Sequence, residues 1–364
     1  MIFYLVSQKH SYTMRPFLTF WAKDFAHRIN VLSYESLMYR KELKPGTYIF
    51  SDIERLTQGQ LWLIQKVWEN LADAKEGYCL LNSPVHTMRR YELLRTLYKS
   101  DLNRFNIYRL TECQTPMHYP VFLRCENDHT GNLTPLLWTP TALSNAIQGI
   151  SKKKNGLADK VMVEFCDTSD TRGIFRKYSA FVVGERIIPM HILFGGNWMV
   201  KGTQCIAREE SHLLEERLYI ENNPHEHDLR QLFKIARIDY GRIDYGPLEG
   251  KLQTWEINTN PVLLHLGAHS PGREYVIQRF LQQIKSALEA VDCKGNVKSQ
   301  MPVSLKHDGK RPGKKDSVSR FIRPIVSFAL DKYYYYEFPY RYYVSMRNRI
   351  IKASVKLHDL RKEC

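Results

Sequence analysis

The chain has 364 residues, of which 43% are hydrophobic and 25% are charged, and this balance excludes a wholly disordered, collagen-like or coiled-coil protein. Its length favours two domains. The formal net charge of +15 is unevenly spread, because residues 294–364 carry 17 Lys and Arg against 6 Asp and Glu, so the basicity belongs to the C-terminal segment.

The first residues carry no pattern typical of export or membrane insertion. The apolar run at residues 1–6 ends at Ser7, with no basic lead before it and no cleavage site after it. No apolar run approaches the roughly 18 residues that a membrane-spanning helix needs. The seven cysteines form no CxxC pair, which argues against a disulfide framework or a zinc knuckle. We therefore expect a cytoplasmic protein.

Residues 1–110 alternate short apolar runs with helical stretches, which is the pattern of a parallel α/β layer. The helical stretches have apolar residues three and four positions apart. The predicted strands lie at residues 1–6, 28–32, 46–50 and 78–82, and the predicted helices at residues 61–71 and 90–98. This segment is predicted to form an N-terminal α/β domain.

The pattern changes near residue 111, where alternating strands begin. These strands are predicted at residues 121–123, 161–165, 178–183 and 186–194. Farther on, Ser270 and Pro271 form the N-cap and first-turn signal of a helix whose apolar residues repeat through Val291. We expect residues 111–293 to form a second, α+β domain of mostly antiparallel sheet with helices between the strands.

The C-terminal segment divides into a linker and a tail. Residues 294–319 are rich in Lys, Gly, Pro and Ser, so we expect a disordered linker. Residues 320–364 contain seven of the 22 tyrosines, interleaved with Lys and Arg, beside an apolar block at residues 321–330. They are predicted to form a helical tail on an anionic membrane surface, with nucleic acid as a less favoured partner. Packing of the tail on the body or on a second subunit is an equal alternative, and the oligomeric state stays open.

The most informative segment is a predicted β-hairpin at residues 236–263. Asp244 ends its first strand-like run, and Glu256 and Asn258 lie two apart on the second run, so these two side chains project to the same face. Carboxylate and amide oxygens on adjacent strands suit Mg²⁺. Arg242 shares the face of Asp244 and is placed to neutralise transferring phosphoryl oxygens, which makes it the candidate catalytic residue.

This hairpin resembles the signature of the ATP-grasp superfamily, an acidic residue on one strand followed by Glu-x-Asn on the next. The likeness is closest to the D-alanyl-D-alanine ligase branch, at residues 241–244 and 256–261. Asp239 is a rival for the first metal ligand, because its surroundings duplicate those of Asp244. Asp244 is preferred, since its shorter gap to Glu256 suits a tight hairpin.

The resemblance implies two basic residues that reach the nucleotide phosphates. Arg124 occupies one of these positions, and Arg90, or its neighbour Arg89, occupies the other. Arginine replaces the usual lysine at both, which preserves the charge and changes the geometry. The loop at residues 125–131 has one glycine and two acidic residues, where the family prefers several small residues.

The resemblance also implies a hinge between two subdomains that holds the adenosine. There the backbone of Phe165 and Cys166 would read the adenine, and Glu164 would accept a hydrogen bond from its amino group. Asp167 or Asp170 would bind the ribose hydroxyls.

The remaining candidates are a phosphate contact and three substrate contacts. Lys201 follows a strand pair and would contact the phosphates. His265, Ser270 and Arg273 lie after the metal motif, where the resemblance places acceptor contacts.

Together these features predict an ATP-dependent carboxylate-amine ligase. The resemblance covers residues 78–291 and implies a pre-ATP-grasp domain at residues 1–110, an ATP-grasp domain of two subdomains at residues 111–293, and an acylphosphate intermediate. ATP and Mg²⁺ are the expected cofactors, Mn²⁺ would also suit the ligands, and the carboxylate and amine substrates are not identified. The alternative is a degenerate nucleotide-binding scaffold or regulator without ligase activity.

Overall fold

The computed structural model describes residues 1–37, 40–74, 76–128, 131–153, 155–200, 205–206, 209–264, 272–293 and 302–304. The predicted tail and all of the predicted linker except residues 302–304 lie outside these ranges. Within them, no helix is both long enough and apolar enough to cross a membrane.

The N-terminal part contains a four-stranded parallel sheet in the order β2-β1-β4-β5. Strands β1 and β4 are buried along their whole length, as expected for a parallel sheet covered on both faces. A two-stranded antiparallel pair, β3 with β13, lies beside it. The ranges are β1 (Ile2–Val6), β2 (Ile29–Ser33), β3 (Glu42–Leu43), β4 (Gly46–Phe50), β5 (Tyr78–Leu81) and β13 (Val303–Ser304).

Helices α1 (Tyr34–Leu37) and α2 (Gln58–Asp73) pack beside this sheet, on β2 and β5 respectively. Helix α3 (Arg90–Lys99) packs instead on β6 (Ile107–Arg109) and β12 (Lys251–Asn258). Helix α2 begins three residues before the first apolar residue of its predicted range. The reason is a capping box, in which the Thr57 hydroxyl accepts from the Gln60 amide and the Gln60 side chain accepts from the Thr57 amide.

The rest of the described chain forms two antiparallel sheets. The smaller has the order β6-β8-β7, and the larger has the order β10-β9-β11-β12. Their strands are β6 (Ile107–Arg109), β7 (Val121–Cys125), β8 (Lys160–Glu164), β9 (Phe175–Val183), β10 (Arg186–Gly195), β11 (Tyr240–Leu248) and β12 (Lys251–Asn258). The predicted mixture of a parallel α/β layer and antiparallel sheet is therefore confirmed.

Four further helices flank these sheets: α4 (Pro140–Ser151), α5 (Glu210–Asn222), α6 (Glu226–Ala236) and α7 (Glu274–Val291). Helix α7 packs on β9 and β10. Its N-cap is Arg273, not the predicted Ser270, which lies outside the described residues. The sequence pattern placed the start too early because it used the Ser-Pro pair as the cap.

One cluster of buried apolar side chains joins the parallel sheet to the larger antiparallel sheet. Tyr4 and Ile49 from the parallel sheet belong to it together with Tyr240 and Leu288. The rings of Tyr4 and Tyr240 meet edge to face at 5.6 Å. This shared core crosses the predicted domain boundary at residue 110, so the two parts pack as neighbours in one hydrophobic interior.

A buried asparagine fastens the two parts at the start of β11. The Asn82 side chain donates to the carbonyls of Phe50 (3.0 Å) and Tyr240 (2.7 Å). Its Oδ1 accepts from the amides of Asp239 (2.8 Å) and Tyr240 (3.0 Å). The residue is fully buried with φ of 64°, a conformation that asparagine tolerates better than most residues.

We expect Asn82→Ala to lower the free energy of unfolding by about 3 kcal/mol, because it strands buried backbone donors and acceptors and places alanine at positive φ. Urea unfolding monitored by fluorescence measures this change. Asn30→Ala, an exposed asparagine on β2, is the control and should cost less than about 0.5 kcal/mol. Equal costs for the two variants would contradict the role given to Asn82.

Candidate functional site

A cavity of about 560 Å³ lies between the two antiparallel sheets and is closed at one end by residues from the N-terminal part. This volume is typical of a small-molecule site. Nine of the residues predicted from sequence line it: Arg90, Arg124, Glu164, Phe165, Cys166, Arg242, Asp244, Glu256 and Asn258.

The hairpin of β11 and β12 has the register that brings the predicted metal ligands together. Asp244 pairs with Glu256, and Arg242 pairs with Asn258. On its other side β11 pairs with β9, where Ser179 lies opposite Asp244. The four hairpin side chains therefore occupy neighbouring positions on one face.

Asp244 is an ionised carboxylate held by two cations. It is 3% exposed, and its oxygens accept from Arg242 Nε (2.9 Å), Arg242 Nη2 (3.2 Å) and Ser179 Oγ (2.9 Å). Lys177 Nζ lies 3.4 Å from Oδ2. Burial acts to raise the pKa of Asp244, but Arg242 and Lys177 outweigh it and hold the pKa below its ordinary value.

Glu256 is held on the opposite side by two arginines. Its Oε2 accepts from Arg90 Nη2 and lies 3.6 Å from Arg124 Nη2. Its Oε1 accepts from the Asn258 amide nitrogen at 3.2 Å. The side chain is 20% exposed, so the carboxylate lies at the edge of the cavity.

The side-chain oxygen atoms of Asn258 and its neighbours are of the kind that bind a hard divalent cation. Asn258 Oδ1 is buried and has no hydrogen-bond partner among the described residues, which is an unusual state for a buried amide oxygen. With Asp244 and Glu256 it gives three oxygen ligands of the kind that Mg²⁺ takes alongside water and phosphate. The described residues contain no cluster of three or more His, Cys, Asp and Glu side chains, so the fit rests on two carboxylates and this amide.

The cavity lining distinguishes Asp244 from its rival Asp239, and Arg90 from its rival Arg89. Asp239 is exposed before β11, where its carboxylate accepts from the Asn82 amide at 3.1 Å, and it does not line the cavity. Arg89 is the N-cap residue of α3 and donates to the Leu56 carbonyl at 2.8 Å. Asp244 and Arg90 are therefore the members of each pair that face the cavity.

Arg90 organises the loop after β7. Its Nη1 donates to the carbonyls of Glu126 (2.7 Å) and Asp128 (3.0 Å) and lies 3.4 Å from that of Cys125. The Glu126 carboxylate faces away from Arg90 and pairs with Arg109 at 2.9 and 2.8 Å. The negative charge of Glu126 is thus neutralised by Arg109, outside the cavity. Arg90 makes more hydrogen bonds to protein atoms than its predicted role as a phosphate contact implied.

Arg124 is the less engaged of the two arginines. Its Nε is buried and has no partner among the described residues. Burial and the neighbouring Arg90 charge lower the pKa of Arg124 to about 10, while Glu256 acts in the opposite direction. The group remains cationic at neutral pH and is oriented toward the cavity, where an anion would relieve its desolvation.

The structure gives the Glu164 carboxylate a set of partners that the predicted adenine contact did not anticipate. The carboxylate is 3% exposed and accepts from the amides of Asn106, Met117 and His118, all at 3.0 Å. The Tyr108 hydroxyl donates to it at 2.8 Å. Four donors match the capacity of a carboxylate, so the side chain ties the chain before β7 to β8.

The wall beside this carboxylate is aromatic. The rings of Phe122 and Trp198 lie 4.9 Å apart, and Phe165 meets Trp198 edge to face at 5.7 Å. The amides of Glu164 and Phe165 donate to Asn106 and Pro120 carbonyls. The aromatic surface is suited to packing against a flat heterocycle, whereas the Phe165 N–H is already bonded within the protein and is not available for the predicted adenine contact.

We expect Glu164→Gln to lower the free energy of unfolding by about 2 kcal/mol, because an amide NH₂ would replace an oxygen that receives buried N–H donors. Urea unfolding measures this. Glu112→Gln changes an exposed carboxylate nearby and should cost less than about 0.5 kcal/mol. Unchanged stability with weakened nucleotide binding would instead support the adenine role.

Several predicted contacts do not reach the cavity. Asp167 is exposed and accepts from the Ser169 amide, and Asp170 pairs with Arg176 at 2.7 Å. Arg273 forms a bidentate ion pair with the buried Glu216 at 2.9 and 2.8 Å, so it is occupied away from the cavity lining. Lys201, His265 and Ser270 lie outside the described residues.

One cation on β9 and a wall from the N-terminal part line the cavity without having been predicted from the sequence. Lys177 faces the cavity because it lies two residues from Ser179 on the same face of the strand. The predicted strand began at residue 178, one position too late to include it. Tyr12, Thr13 and Arg55 line the far end of the cavity, in segments without a recognisable motif.

The N-terminal wall is fastened to the chain that follows the metal motif. Asn260 accepts from the hydroxyls of Tyr4 (2.8 Å) and Thr13 (2.5 Å), and its amide donates to the His10 carbonyl (3.2 Å). Thr259 accepts from the Ile53 amide at 3.1 Å. These bonds place the wall next to β12.

A scan against protein-family models gave no match, and a search of curated proteins gave none either. Solved structures do match. D-alanine–D-alanine ligase from Bacillus anthracis complexed with ATP has 10% identity and a TM-score of 0.43, covering 80% of this chain and 99% of its own. L-amino acid ligase from Bacillus licheniformis has 11% identity and a TM-score of 0.39, covering 79% and 74%.

A third match is a RimK domain ATP-grasp protein from Sphaerobacter thermophilus, with 10% identity and a TM-score of 0.42, covering 79% of this chain and 100% of its own. These are similarities of fold at low sequence identity.

Proposed function

We propose that this protein is an ATP-dependent ligase that activates a carboxylate as an acylphosphate and joins it to an amine. The observation that carries the proposal is the register that places Asp244 opposite Glu256, in a cavity where Arg90, Arg124 and Arg242 face the same space. Phosphoryl transfer needs positioning and charge neutralisation more than a covalent nucleophile, and this is the chemistry that such side chains supply.

In this proposal the nucleotide lies along the cavity. Its base packs against the aromatic wall of Phe122 and Trp198, near the backbone of Phe165 and Cys166. Its phosphates meet Arg124 and the other cations. Asp244, Glu256 and Asn258 would hold Mg²⁺, which would neutralise charge on the bridging phosphate oxygens.

The reaction would proceed in two displacements. An oxygen of the substrate carboxylate attacks the γ-phosphorus, the bond from that phosphorus to the β-phosphate oxygen breaks, and ADP leaves. The amine then attacks the acyl carbon, inorganic phosphate leaves, and the amine nitrogen loses a proton. Arg242, beside Asp244, would neutralise the transferring phosphoryl group, while Thr13 and Arg55 would contact the acyl or amine substrate.

A degenerate nucleotide-binding scaffold is the second candidate. The observation in its favour is that Arg90 is bonded to loop carbonyls and to Glu256, so the loop that would cover the phosphates is already held by the protein. The complete set of oxygen ligands argues against it, since a scaffold has no obvious use for a metal.

A phosphate-release screen separates the two candidates. Purified full-length protein is incubated with ATP and Mg²⁺ across a broad pool of amino acids and other carboxylates. Release that depends on a substrate, with a condensed product seen by mass spectrometry, supports the ligase. Tight ATP binding without release across the whole pool supports the scaffold.

We expect Glu256→Gln to reduce Mg²⁺-dependent turnover at least about a hundredfold while the protein still folds, because Gln keeps the shape and removes an anionic ligand. The melting temperature should fall, since the buried Arg90 loses its ion-pair partner. Asp244→Asn should cause a comparable loss. Asp239→Asn is the matched control and should cause little. Near-normal turnover by Glu256→Gln would refute the assignment of this hairpin as the metal site.

A further inference from the structure

The two carboxylates of the candidate metal site are bound to cationic side chains on the protein itself. Asp244 is held by Arg242 and Lys177, and Glu256 is held by Arg90 and lies close to Arg124. The remaining oxygen positions accept from neutral donors, the Ser179 hydroxyl and the Asn258 amide.

Among the residues that the structure describes, four cations therefore surround these two anions, and their summed charge is positive. The other charged groups of the cavity do not alter this balance. Arg55 is paired with Asp52 and lies 4.0 Å from Glu54, and the Glu164 carboxylate is taken by four protein donors. A divalent cation that entered alone would have to displace ion pairs and sit among like charges, which is unfavourable at this burial.

A polyphosphate would bring negative charge into the cavity and so offset the excess of cationic side chains. Guanidinium groups form strong, often bidentate hydrogen bonds with phosphate oxygens. Arg90 and Arg124 each have a buried Nε without a partner among the described residues, so both retain donors for an incoming anion. When these arginines turn to phosphate, the Glu256 carboxylate is released to the space beside Asp244 and Asn258.

We propose that the protein's own cations close the metal site until a nucleotide polyphosphate binds, so that nucleotide enters first and the divalent metal second. This proposal rests on the proposed function, since it assigns an order of binding to the same site. By linkage the coupling is reciprocal, so bound metal strengthens nucleotide binding by the factor that nucleotide strengthens metal binding.

The test measures metal and nucleotide separately on the full-length protein. Mn²⁺ binding without nucleotide is followed by the electron paramagnetic resonance signal of free Mn²⁺, and binding of the non-hydrolysable ATP analogue AMP-PNP is followed by calorimetry in EDTA. The native protein should bind AMP-PNP without metal. It should bind Mn²⁺ alone at least about tenfold more weakly than in the presence of AMP-PNP.

Arg124→Met is the informative variant, because the proposal predicts opposite changes. Mn²⁺ affinity without nucleotide should rise about tenfold, while metal-free AMP-PNP affinity should fall about tenfold. Arg104→Met is the matched control. Arg104 is an exposed arginine paired with Glu249 at the hairpin turn, and its loss should change neither affinity. Lys177→Met, which frees Asp244 of one cation, should also raise Mn²⁺ affinity and serves if Arg124→Met does not fold.

Four results would overturn the proposal. Mn²⁺ could bind the native protein equally well with and without AMP-PNP, or Arg124→Met and Lys177→Met could both leave the Mn²⁺ affinity unchanged or lower it. AMP-PNP that binds only together with metal would overturn the binding order and leave the ligase proposal standing. Absence of nucleotide binding under every condition would overturn the proposed function as well.

Discussion

The register between β11 and β12 is the constraint on which the rest of the site depends. A slip of one residue would turn Glu256 and Asn258 to the opposite face of the sheet. Glycine helps to fix the register, because a Cβ added at Gly246 would lie 2.5 Å from the Trp255 ring, and one added at Gly241 would lie 2.8 Å from the Asn258 carbonyl oxygen. The close approach of the two strands thus specifies the alignment of the carboxylates.

Charge balance connects this register to the surrounding fold. Strand β9 contributes Lys177, helix α3 contributes Arg90 and strand β7 contributes Arg124, so three separate elements neutralise two acidic residues of one hairpin. The buried carboxylates are tolerated because each has hydrogen-bonded cationic partners. One of these contacts, between Arg124 on β7 and Glu256 on β12, also joins the smaller antiparallel sheet to the larger one across the cavity.

Strand period and family resemblance were sufficient to predict the alternation of layers and the hairpin, because these depend on residues close in sequence. Glu164 shows where such prediction stops. Its partners Asn106, Met117 and His118 lie far away in sequence, and nothing local shows that they take up its carboxylate. The ion pair of Arg273 could not be predicted for the same reason, since its partner Glu216 is on another helix. Lys177 was not predicted because the predicted strand started at residue 178, three residues after the observed start of β9 at Phe175.

The hydrogen bonds of Thr259 and Asn260 have a consequence for how the cavity selects its occupants. They fasten the chain at the end of β12 to Tyr4, Thr13 and Ile53, so the N-terminal wall is bonded directly to the segment that follows Glu256 and Asn258. The distance across the cavity between this wall and β12 is therefore set by hydrogen bonds within the protein. A molecule that reaches from this wall to Glu256 or Asn258 must match that distance, so the cavity discriminates by molecular length as well as by charge.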